Sequence, residues 1–94
     1  MLLGVYAIRD AKSGFLAPTT DQNGDSAIRN FSHAVMTTND SLFFTHASDF
    51  SLWHIADYET DTGCITPLVP PIHLVDADQI KKGDSNERKE SREV

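Results

Sequence analysis

The residues able to do chemistry are few. Arg9 and Asp10 adjoin, Lys12 follows, and Arg29 is the only other cation before residue 81. Arg9 could hold a phosphate that Asp10 orients; equally, the two could form a strand-end ion pair, or Asp10 could cap the following turn. Arg29, next to Ile28, could meet a phosphate, or lay its stem along the edge of the core with its head in water. Tyr6 and Trp53 are the aromatic candidates. Rings on an open sheet face stack bases at ~1–3 kcal/mol each, but Trp and Tyr are also enriched where proteins meet proteins. Among His33, His46, His54 and His73 no pair has the His-x-x-x-His spacing of a helical metal site, and no cysteine motif accompanies them. No metal or cofactor is therefore expected. His46 ahead of Asp49 reads as a local turn, with a functional role as the alternative. Cys64 beside Gly63 reads as a small strand residue rather than a nucleophile. There is no Gly-rich phosphate loop and no G-x-S-x-G elbow. A core this small is expected to leave little room for a water-excluding pocket of ~300 Å³, so an enzyme is not expected.

The chain that must position these groups has 94 residues, 39% of them hydrophobic, and a net charge of −6. That length allows one domain, burying only ~60–65% of its unfolded surface. Residues 1–80 carry three cations against ten acids, a net −7, and residues 81–94 carry five against four. The acidic core repels nucleic acid at long range, so any such contact needs a local patch, the tail or a second chain. A single cysteine excludes an internal disulfide framework. No apolar run nears the ~20 residues of a membrane span. The residues after Met1 lack the basic start and apolar stretch of a leader. A reduced, intracellular protein is expected.

Leu2 to Arg9 reads as a strand apolar on both faces, as suits a central position. Asp10 to Asp21 reads as a loop with Phe15 and Leu16 pinned against the core. Asn23 to Met36 reads as a helix: Ala27, Ile28, Phe31, Ala34 and Val35 form one stripe, Asn23 is the N-cap and Asp25 faces the dipole. Ser41 to His46 is a helical turn or an apolar loop. Phe50 to Tyr58 reads as a second strand, whose apolar character passes from one face to the other, suggesting a bulge or a strand covered on both sides. Gly63 suits a hairpin loop. Cys64 to Val75 reads as an edge strand or a partly polyproline-like one, because Pro67, Pro70 and Pro71 cannot donate to a ladder. Ala77 to Lys81 adds a helical turn. The expected fold is α+β: a β-α-β-β domain over residues 1–80, with one helix on a three-stranded sheet. Residues 81–94 read as a disordered charged tail, with a polar helix as the alternative.

Four stretches, in order, resemble a known family. They are Tyr6-Ala7-Ile8-Arg9-Asp10, Ala27-Ile28-Arg29-Asn30-Phe31, His46-Ala47-Ser48-Asp49-Phe50-Ser51-Leu52-Trp53-His54-Ile55, and Asp61-Thr62-Gly63. Together they resemble the small nonstructural protein of gokushoviruses, microviruses with small circular single-stranded DNA genomes. The likeness covers roughly residues 5–65. Ala47 stands where that family usually has Pro, and Ala56 where it often has Gly. The resemblance implies a phage-encoded protein of the host cytoplasm, absent from the virion, described as DNA-binding or replication-associated.

Two functions follow as expectations. The first is binding of single-stranded DNA during genome replication or packaging, with Tyr6 and Trp53 stacking and Arg9, Lys12 and Arg29 meeting phosphates. The second is a protein–protein module that recruits a replication or capsid-assembly partner. A homodimer is expected in either case, because a monomer would expose one apolar face of the first strand.

Overall fold

The structure, a computed structural model, describes residues 1–37 and 42–81. Its elements are β1 (Leu2–Asp10), β2 (Gly14–Phe15), β3 (Thr19–Asp21), α1 (Gly24–Met36), α2 (Leu42–Thr45), a 3-10 turn (Ala47–Asp49), β4 (Phe50–Glu59) and β5 (Ile65–Asp76). Residues 77–81 are helical. The α+β class stands, but the arrangement is not three strands and one helix. The sheet has five strands, all pairs antiparallel, in the order β2-β1-β4-β5, with β3 also on β1. The expected tail lies outside the described residues from 82 onward, and Lys81 belongs to the helical residues.

The expected loop from Asp10 to Asp21 is where two strands were missed. Gly14, at φ 98, turns the chain back along β1. Phe15 then pairs with Arg9, and Thr19 to Asp21 pair with Tyr6 to Gly4. Between them the Leu16 N–H still donates to the Ile8 carbonyl at 2.8 Å. One edge of β1 is therefore covered by a broken strand, which leaves β1 central as its apolar faces require. Phe15 and Leu16 are not pinned inside; they are 48% and 39% exposed.

α1 begins as its sequence dictates. Asn23 is extended, at φ −159, and its side-chain oxygen accepts the Ser26 N–H at 2.9 Å. A cap of this kind is worth ~1 kcal/mol. Ala27, Phe31 and Val35, spaced by four, are buried. They pack with Tyr6, Phe50, Leu52, Ala47 and Ala77, and Ile8 and Val75 join them. Phe43 of α2 stands edge-on to Phe50 at 4.9 Å and to Phe31 at 6.4 Å. The Lys81 ammonium closes this layer from the far end. It lies 4.3 Å over the Phe44 ring and donates to the Phe44 carbonyl at 3.1 Å.

β1 meets β4 with a break in register. Val5 faces Ala56, but Tyr6 faces His54, so Ile55 is an extra residue on β4. This bulge sets Ala56 and Tyr58 on the same face as Trp53, which itself lies on the face opposite Leu52 by plain alternation. β5 lies on the outer edge of the sheet, as its prolines demand. Gly63, at φ 75, closes the β4–β5 hairpin, its N–H donating to the Glu59 carbonyl at 2.8 Å. Beside that turn the Met1 ammonium contacts Glu59 at 2.6 Å and Asp61 at 3.2 Å. The Glu59 hydrogen bond chiefly holds the amine above its ordinary value, and the amine in turn holds Glu59 below the usual carboxylate range.

Candidate functional site

The core cluster lies on one face of the sheet, with α1 and α2 packed over it. No helix of the described residues packs on the other. Alternation along β1 puts Leu3, Val5, Ala7 and Arg9 on this open face. The registers then fix their neighbours. Phe15, Arg9, Ser51 and Asp76 form one cross-strand row, and Ala7, Trp53 and His73 the next. Beyond the bulge come Thr20, Val5, Ala56 and Pro67, and finally Leu3, Tyr58 and Ile65.

Three rings meet in the first two rows. The Phe15 and Trp53 centroids are 6.1 Å apart, and those of Trp53 and His73 5.1 Å apart, both pairs edge to face. Ala7, 2% exposed, is small enough for the larger rings to close over. The Trp53 indole N–H donates to the Ser51 hydroxyl at 2.8 Å, and His73 shares a 2.7 Å hydrogen bond with Asp76. These bonds hold the rings at their edges.

Arg9 lies in the first of these rows and is exposed. Lys12 follows in the β1–β2 turn, where its backbone N–H and the Ser13 hydroxyl both donate to the Asp10 carboxylate. Asp10 thus caps its turn, as one of its three readings had it. Neither the Arg9 guanidinium nor the Lys12 ammonium makes an ion pair among the described residues. Two cations without ion pairs thus stand at one end of an aromatic face, with the Asp10 and Asp76 carboxylates beside them.

The five candidates from the sequence are only partly brought together. Arg9, Lys12 and Trp53 share the open face and its end. Tyr6 does not: it is 4% exposed beneath α1, stacked on His54 at 4.8 Å, and no base can reach it. Its hydroxyl lies over Gly4, where a Cβ would collide with it. Burial pushes the Tyr6 phenol above its ordinary value, and Asp21 and Asp57 add to the rise. Arg29 is exposed on α1, about 200° around the helix from buried Ala27, and so points away from the sheet. Phe15 and His73 were missed as site residues. For Phe15 the only signal was its place next to an unforeseen strand; for His73 it was strand alternation with the register of β5.

The remaining histidines have local roles. His54 Nε2 shares a 2.9 Å bond with Asp57, and the Asp49 N–H donates to the His46 carbonyl at 2.9 Å in the 3-10 turn. Among the described residues no cluster of histidine, cysteine, aspartate or glutamate could hold a metal ion. The surface is more indented than expected. A cleft of about 690 Å³ lies between Leu16, Ala34, Leu42 and Phe43, and one of about 310 Å³ between Tyr6, Asp21 and Asn30. A third, of about 700 Å³, opens over Val5, between Thr20, Tyr58 and Ile65, continuing the open face.

These features define a small α+β domain with one sheet face covered by helices and the other left to rings, with Arg9 and Lys12 at one end. The chain belongs to the family described as Phage ORF5 protein, which matches residues 3–80. It is thus a phage protein. Searches of curated proteins and of solved structures found no match. No helix of the described residues is long and apolar enough to cross a membrane.

Proposed function

We propose that this phage protein binds single-stranded DNA on its open sheet face, without catalysis, during genome replication or packaging. The observation that carries the reading is the edge-to-face row Phe15–Trp53–His73 with unpaired Arg9 and Lys12 at its end. Rings offer sequence-tolerant stacking, and the two cations meet phosphates beside it. Tyr6 and Arg29 drop out of the proposed site. The gokushovirus resemblance supports a single-stranded genome as the target, acting in the host cytoplasm and outside the virion.

The test is a titration of a labelled ~30-base strand, reading anisotropy and Trp53 fluorescence together. Two phosphate contacts give a log–log salt slope of about −1.4, so affinity falls roughly sevenfold between ~50 and ~200 mM salt. Arg9→Glu should remove most of the binding, and Arg29→Glu should leave the salt slope unchanged. Absence of binding at the lower salt, or binding without Trp53 quenching, overturns the reading. Exposed Ile65 (65%) and Phe15 (48%) on the same face favour a second reading, a module that recruits a replication or assembly partner. Binding of that kind should hardly respond to salt.

A further inference from the structure

We infer that the open face is built to meet a second copy of itself, with the two-fold axis running along β4. The inference rests on the register alone and stands whether or not DNA binds. β4 lies between β1 and β5, so a two-fold axis along it sets each β1 residue against the β5 residue of the same row in the second copy. The first row then places Arg9 against Asp76, a cation against an acid. In the second and third rows Ala7, Val5 and Ala56 are buried within their own chain, so these rows present Trp53, His73 and Pro67 to the second copy. The fourth places Leu3 against Ile65, apolar against apolar. Ser51, Trp53 and Tyr58 lie on the axis, each meeting its own copy.

Within one chain Arg9 and Asp76 cannot satisfy each other easily. Ser51 stands between them, and two strand spacings separate their backbones by ~10 Å. Arg9 has no ion pair among the described residues, and Asp76 is bound only by groups of its own segment: His73 and, at its backbone N–H, Gln79. Two sheets packed face to face lie ~10 Å apart, so long side chains from opposite copies meet midway. Self-complementarity of this kind is what an isologous contact needs. β2 and β3 overhang, so the overlap is three strands wide and about eight residues long, and two copies cover roughly 750 Å² between them, a small and transient contact. The dimer should therefore form and separate readily.

Sedimentation equilibrium of the full chain tests this over about 5–500 µM, the range such a small contact calls for. The wild type should double in mass across the range, while Arg9→Asp and Asp76→Arg should each remain monomeric. An equimolar mixture of the two variants should recover the doubled mass, because each supplies the charge that the other has lost. Only an intermolecular pairing gives that rescue. Circular dichroism establishes that both variants are folded, and should either fail, Arg9→Gln and Asp76→Asn replace them, each weakening the dimer severalfold with no rescue on mixing. A monomeric wild type, single variants that dimerise as well as wild type, or a mixture of folded charge-reversal variants that stays monomeric overturns the inference. No nucleic acid is present, so failure here leaves the DNA reading untouched.

Discussion

Leu52 and Trp53 are neighbours on β4 and belong to different worlds. Leu52 joins Phe31 and Phe50 under α1 and is 5% exposed. Trp53 points the other way, partly exposed, held at its edges by Phe15, His73 and Ser51. The covered face is made mostly of aliphatic and phenyl groups, whose burial stabilises the fold. The open face uses rings with polar handles, small residues between them, and cations without partners. Apolar character along β1 is common to both faces; what separates them is the polar chemistry at the rim. A face that must stay accessible keeps groups that tolerate water while offering a surface to stack on. DNA and a second copy would both use it, so each should displace the other.

The contrast can be broken most severely from the covered side. Phe31→Ala should cost ~3–5 kcal/mol of unfolding free energy by denaturant titration, with little change in DNA affinity for the fraction that stays folded. An equal loss of affinity in the folded protein would mean that the faces are not independent. Gly4→Ala tests the one place where the covered face leaves no room, beneath the Tyr6 hydroxyl. Displacing that ring should cost ~1–3 kcal/mol, and a neutral result would show that the ring swings aside freely. The smallest effect should come from alkali. The fold holds Tyr6 as the neutral phenol, its value raised by burial and then by Asp21 and Asp57. Its contribution is complete below pH 10, the ordinary phenol value, and is lost as pH rises through the folded one. Stability measured against pH should fall less steeply above 10 in Tyr6→Phe than in the wild type; identical profiles would place the hydroxyl in water.

Much of this was legible in the sequence, for identifiable reasons. The α1 stripe and its Asn23 cap are local signals, and the helix begins and ends where they say. The handover between Phe50–Leu52 and Trp53–Ile55 suited a bulge or a strand apolar on both sides: Trp53 takes the open face by plain alternation opposite Ala7, and Ile55 is the extra residue further along. β2 and β3 were illegible because two or three residues carry no periodicity; they are strands only because β1 offers them carbonyls and amides. Tyr6 was misplaced for a related reason. A strand apolar on both sides does not say which side takes the helix, and that choice is made by registers between distant segments. Trp53 fell on the open face by the same geometry that buried Tyr6. Arg29 was left open between two readings, and helical phase settles that it faces solvent.

The pairing of β1 has a further consequence during synthesis. Its first partners, β2 and β3, follow within a dozen residues, but its other edge waits for β4, which ends at Glu59. At ~5–20 residues per second the ribosome needs roughly 2–8 s to travel from residue 21 to residue 59. For that interval the nascent chain carries a strand sealed along one side and bare along the other. β1 then gains its second neighbour before β4 gains its own, and the sheet closes outward toward β5.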